Sequence, residues 1–156
     1  MTKTNVMRIL TAAGIPYRTA EYEYDESDLS GVHAAQQIAM PMEQVFKTLV
    51  ARGDKTGYLV FCIPVAEELE LRAAALATGN KKVELIHVKE LLPLTGYLRG
   101  GCSPIGMKKK FPTYVDETAQ LFDEIAVSAG LRGAQIILAP DALLSQTEGA
   151  YAALTA

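Results

Sequence analysis

Apolar residues recur along this chain in short blocks of two different periods, cut apart by glycine and proline. Val6, Met7, Ile9, Leu10 and Ala13 return at helical spacing. Thr2 or Thr4 stands where an N-cap belongs, and Gly14 with Pro16 closes the segment. Residues 17–24 alternate instead, which predicts a strand with Tyr22 and Tyr24 on one face. A polar, acidic loop over 24–31 then leads into a short Ala-rich helix over 32–40, ended by Pro41.

Pro41 opens a turn at 42–44, and residues 45–51 have the composition of a buried strand, broken only by Lys47. The stretch 53–57 reads as a hairpin connection to an apolar, β-rich strand at 58–64. A helix over 67–77 follows, with Leu69, Ala73 and Leu76 expected to face inward and Gly79 as its stop. Residues 82–86 predict a strand ended by His87, and 88–92 a brief helix. Three more strand segments lie at 113–117, 124–128 and 134–138, the last two joined by the turn at 130–133. Pro140 at a helix N1 position starts a C-terminal helix through about Gln146. The pattern predicts an α/β (α+β) fold: a mixed, largely antiparallel sheet with short helices outside it.

Length and composition narrow the picture. At 156 residues and 49% hydrophobic content the chain suits one well-buried core, so a single domain over 1–156 is expected. A net charge of −3 and a pI near 5.4 exclude a generally basic nucleic-acid binder, leaving any such contact to a local patch such as Lys108, Lys109 and Lys110. Cys62 and Cys102 lack CxxC spacing and a nearby His partner, so neither a metal site nor a disulfide framework is indicated, and no cofactor is expected. A reducing cytoplasm fits that usage. With no apolar leader segment and no run of about 18 apolar residues, export and membrane insertion are not expected.

The candidate chemistry sits in residues 95–110. Three glycines and a proline fall between Gly100 and Gly106, so the backbone there can take up positive φ and approach a ligand closely. Such a loop presents amide hydrogens, which form a concave site for an anion or a carbonyl oxygen. Arg99 and Lys108 to Lys110 bracket it with positive charge, and no carboxylate lies between them. The same residues read equally as a plain turn beside a solvated Lys run. Lys47 also has two readings: a lysine at a solvated sheet edge, or a fixed cation with three donors aimed into a cleft. Neither His33 nor His87 lies in a motif with Ser or Cys, and no paired carboxylates stand out, so triad chemistry is unsupported.

Taken together, Val45-Phe46-Lys47-Thr48-Leu49 and Thr95-Gly96-Tyr97-Leu98-Arg99-Gly100-Gly101-Cys102-Ser103-Pro104-Ile105-Gly106-Met107-Lys108-Lys109 resemble the YbaK/EbsC family of aminoacyl-tRNA deacylases, free-standing relatives of the editing domain of bacterial prolyl-tRNA synthetases. The resemblance runs over essentially the whole chain. It implies the barrel-like sheet of that editing domain and hydrolysis of mischarged Cys-tRNA(Pro), an error that pocket size alone rejects only about 10- to 200-fold. In that family the cysteinyl thiol attacks its own ester. Carried over by motif, Lys47 matches the required lysine, holding the phosphate or ester end of the terminal adenosine, and Gly101 the glycine whose N–H meets the oxyanion. Tyr22, Gly100, Ser103, Pro104 and Lys108 join them as substrate-binding residues, with Asp141, which stands one place off the acidic position of the family pattern. Cys102 reads as tolerated filler. The partners implied are aminoacylated tRNA(Pro) and a prolyl-tRNA synthetase, which would supply tRNA selectivity. A related deacylase for Ala-tRNA(Pro) or another small aminoacyl ester, using water, and a non-catalytic tRNA- or synthetase-binding module are the alternatives.

Overall fold

The computed structural model describes residues 3–156, so Thr2, one of the two expected caps, lies outside the described residues. Thr4 fills the place: its Oγ1 accepts from the Met7 N–H at 3.3 Å, and α1 (Asn5–Ala12) buries Val6, Met7 and Leu10. The strand expected at 17–24 is pared to β1 (Arg18–Glu21), continued by one bond from the Tyr22 N–H to the Gly133 carbonyl at 2.9 Å. Ser30 caps α2 (Gly31–Gln37) by accepting from the His33 N–H at 3.2 Å. That helix stops short of Met40 because Ala39 turns to φ 56°.

β2 (Phe46–Gly53) and β3 (Gly57–Pro64) form the predicted hairpin, with Gly53 opposite Gly57. Asn80 pins its tip, its Oδ1 accepting from the Lys55 and Thr56 amides at 2.8 and 3.1 Å. The next helix differs from expectation. α3 (Leu71–Thr78) begins after Glu70, whose carboxylate accepts from the Arg72 and Ala73 amides, so Leu69 precedes the helix and shares no stripe with Ala73 and Leu76. Ala74 and Ala75 face the sheet, because their small side chains admit a close approach, and Leu76 is 85% exposed. β4 (Val83–Leu85) is followed by α4 (Val88–Thr95), which runs past the expected stop at Leu92. Pro93 removes only one amide donor there, and the Gly96 N–H still reaches the Leu92 carbonyl at 2.9 Å. β5 (Thr113–Asp116), β6 (Ile125–Ser128), β7 (Ala134–Leu138) and α5 (Pro140–Thr147) match their predicted segments, and a short β8 (Ala150–Ala152) adds an unexpected last strand.

Among the described residues the strands form two sheets rather than one closed barrel. The larger has the order β4-β2-β3-β5-β8, antiparallel around β2 and parallel where β5 joins β3 and β8. The smaller, β1-β7-β6, is antiparallel throughout, and a bridge between Val45 and Ala126 links the two. Apolar side chains of α1, both sheets and Leu143 of α5 make the main core. α3 covers the larger sheet with Leu59, Phe61 and Ile63 beneath it, and α2 packs through Ala35 against Val45, Ala126 and Ile137. Among the described residues no helix is long and apolar enough to cross a membrane.

Candidate active site

Between α2, the start of β2 and the ends of β6 and β7 lies a cavity of about 330 Å³. Lys47 lines it with Phe46, Thr48 and Leu49, because β4 pairs only with the far end of β2 and leaves this end beside the gap between the sheets. Gly31 lets α2 close the cavity: a Cβ there would stand 2.4 Å from Val65 Cγ1 and 3.8 Å from Lys47 Cβ. Arg99, Gly100 and Cys102 line the same space, and Tyr22 sits at its side. Lys47 and the glycine loop, far apart in the chain, therefore line one cavity, with Lys47 half-buried at its wall.

The loop holds its shape through its own bonds. Thr95 anchors both ends: its hydroxyl accepts from the Tyr97 N–H at 3.1 Å, and its carbonyl accepts from the Lys108 N–H at 3.1 Å. The Tyr97 hydroxyl donates to the Ile105 carbonyl across the interior. Outside, Arg132 Nε donates to the Arg99 carbonyl at 2.8 Å, tying the loop to the turn between β6 and β7. Gly101 lies so close to that turn that a Cβ would stand 3.0 Å from the Arg132 amide nitrogen. One expectation changes here. The Gly101 N–H donates to the Leu98 carbonyl at 2.9 Å and is already engaged, whereas the amides of Gly100 and Cys102, which flank it on the cavity wall, donate to no protein group among the described residues.

The expected substrate-binding set divides. Tyr22 and Gly100 reach the cavity. Ser103 is fully buried and its Oγ accepts from the Ile105 N–H at 3.3 Å, a brace inside the loop. Pro104 lines a separate cavity with Lys109 and Lys110. Lys108 is exposed and lies over Gly96. Asp141 sits on α5, accepting from the Tyr151 hydroxyl at 2.7 Å, and does not line the cavity of Lys47. Sequence reasoning missed Ser128 and Gln135, which close the inner end.

Burial lowers the pKa of the half-buried Lys47 ammonium, with Glu68 and Glu67 pulling it back up. The same effect, offset in part by a hydrogen bond with Thr95, pushes the Cys102 thiol up to about 12, which keeps it protonated at neutral pH. Among the described residues lining the cavity there is no His, Asp or Glu. Its polar equipment is cationic side chains, hydroxyls, one carboxamide and backbone amides, suited to gripping an ester and an oxyanion.

The class these observations define is an α/β domain with a lysine and a glycine-rich loop lining one cavity. The chain belongs to the aminoacyl-tRNA editing domain family, which it matches over residues 29–145. It is 51% identical, over 153 residues that make up 98% of this chain and 93% of the relative, to a proposed Cys-tRNA(Pro)/Cys-tRNA(Cys) deacylase, EbsC, of Enterococcus faecalis V583. Among solved structures it is similar to a proposed trans-editing enzyme for prolyl-tRNA synthetase, with TM-score 0.84, 26% identity and 99% of both chains covered. The hypothetical protein APE2540 shares the fold, with TM-score 0.88 at 21% identity over 98% of this chain and 100% of that one.

Proposed function

We propose that this chain is a trans-acting aminoacyl-tRNA deacylase that clears Cys-tRNA(Pro), with the substrate's own thiol as nucleophile. The observation that carries the reading is the meeting of Lys47 with the Arg99-Gly100-Cys102 wall in a cavity lined by no His or carboxylate. Family membership and the name of the Enterococcus relative support the substrate class. A cysteinyl thiol has a pKa near 8.5 and is a few per cent thiolate at neutral pH, so orientation and oxyanion stabilisation suffice. Its sulfur bonds to the ester carbonyl carbon, the bond from that carbon to the 3′ oxygen breaks, and the thiol proton ends on the 3′ hydroxyl of the released tRNA. Water then opens the cyclic thioester to cysteine.

Lys47 holds the ester end of the terminal adenosine, and Tyr22 flanks it. The oxyanion is assigned to the amides of Gly100 and Cys102 in place of the engaged amide of Gly101. Losing one such donor costs about 3 to 4 kcal/mol of transition-state stabilisation. The test is a deacylation time course on Cys-, Ala- and Ser-charged tRNA(Pro) and on Cys-tRNA(Pro) with its thiol alkylated. Rapid clearance of the first alone is expected, and cleavage of the alkylated ester at the same rate would replace the thiol route with attack by water.

A prolyl-tRNA synthetase is the proposed partner, because one short Lys run gives little means of reading a tRNA sequence. A ternary complex of chain, synthetase and tRNA(Pro) on size exclusion is the expected result. Its absence at micromolar concentrations would leave the chain acting on free aminoacyl-tRNA.

A further inference from the structure

We infer that Gln135 accepts a hydrogen bond from the α-amino group of the bound aminoacyl ester and so helps decide which acyl groups are cleaved; this rests on the deacylase reading above. Along β7, Ala134, Ile136 and Leu138 enter the main core, so Gln135 and Ile137 project from the opposite face. The register partners of Gln135 are Ala20 on β1 and Ser128 on β6, both small, and Gln135 lines the cavity with Ser128.

The side chain is an anomaly in its own terms. Gln135 is 6% exposed, and its Oε1 is the one buried side-chain oxygen or nitrogen without a hydrogen-bond partner among the described residues. A buried carbonyl in that condition costs stability unless a water or a ligand supplies the missing donor. What it lacks is a donor. Three of the other side-chain oxygens around the cavity have partners: Ser128 Oγ accepts from the Gly130 N–H at 3.1 Å, Ser30 Oγ from the His33 N–H at 3.2 Å, and Thr48 Oγ1 pairs with Cys62 Sγ at 3.9 Å; the Tyr22 hydroxyl has none among the described residues, but it is a donor as well as an acceptor. The charged side chains of the lining, Lys47 and Arg99, are donors themselves. An aminoacyl ester brings an amine that must find an acceptor once out of water, and the unpartnered carboxamide oxygen of this lining residue is the acceptor assigned to it.

Wild type and Gln135→Leu are compared on Cys-tRNA(Pro) and on tRNA(Pro) carrying 3-mercaptopropionate, which keeps thiol and ester but lacks the amine. Gln135→Leu is expected to lose roughly ten- to a hundredfold in kcat/KM on the cysteinyl ester and to cleave the desamino ester as wild type does. Its melting temperature should be at or above the wild-type value, since an apolar near-isostere removes an unpaired carbonyl. Gln135→Glu, which keeps an acceptor, should retain the preference for the amine-bearing ester. Equal losses on both esters, undiminished cysteinyl cleavage by Gln135→Leu, or loss of the preference in Gln135→Glu would each overturn this assignment alone. Failure of wild type to cleave either ester would overturn the deacylase reading and carry this one with it.

Discussion

A lysine in a run of strand residues is costly to bury, and Lys47 shows what that cost accompanies. Burial depresses its pKa below that of the unfolded chain, so the unfolded chain holds the proton more tightly. The ionised side chain therefore opposes folding at neutral pH, and that opposition fades only as pH rises through the folded value towards the unfolded one. Lys47→Met should melt no lower than wild type at pH 7, while its deacylation rate falls by about 10² to 10³, the loss typical of one oxyanion-type donor. Calorimetry paired with the tRNA assay reads both, and a fully active Lys47→Met would remove the mechanism. Cys102 makes the opposite case. With its thiol near pKa 12, about one molecule in ten thousand is thiolate at pH 8. Iodoacetamide at that pH should label the folded chain slowly by mass spectrometry, and Cys102→Ala should keep its activity.

At the scale of elements, the glycine loop acts as a unit because its ends are tied at Thr95 and its outer side at Arg132. Gly100 has φ 87°, and a Cβ there would stand 3.1 Å from Leu29 Cβ on the cavity wall. Gly100→Ala is thus expected to cost about 1 to 3 kcal/mol from backbone strain and to lose more activity than its stability explains. Denaturant titration beside the deacylation assay separates the two, and an active, destabilised variant would place the oxyanion site elsewhere. The elements misjudged from sequence share a cause. The α3 face was set by two alanines fitting closely on a sheet, α4 ran past Pro93 because one lost amide does not end a helix, and β8 exists only because β5 offers it an edge.

Across the molecule, exposed carboxylates are held below their usual range by hydrogen bonds. Asp54 accepts from the Lys82 and Lys81 amides, Asp25 and Asp28 from Ser27 and Ser30, Glu124 from Arg18 and Glu148 from Lys110. A folded pKa below the unfolded one gives stability that is present above the unfolded value and is lost as pH falls through the folded value. The melting temperature should hold steady down to about pH 4 to 5 and decline below it. Asp54→Asn should flatten part of that acid slope, and an unchanged slope would mean its bonds persist in the unfolded chain.

The sequence by itself determined the local order and the two motifs: hairpin, capped helices, a glycine loop and a lysine where none is expected, because periodicity, caps and turn residues are properties of neighbours in the chain. It also held an unread sign. Gln135 interrupts the apolar run Ala134-Gln135-Ile136-Ile137-Leu138 as Lys47 interrupts its own, and a polar residue in a buried strand is the same signal in both places. Only the tertiary structure decided that Lys47 and the glycine loop line one cavity, that Ser103, Pro104, Lys108 and Asp141 do not line it, and which amides stay free to donate. Those facts depend on how the two sheets meet beside the start of β2, where Val45 bridges to Ala126, and that geometry is fixed by packing between residues far apart in the chain.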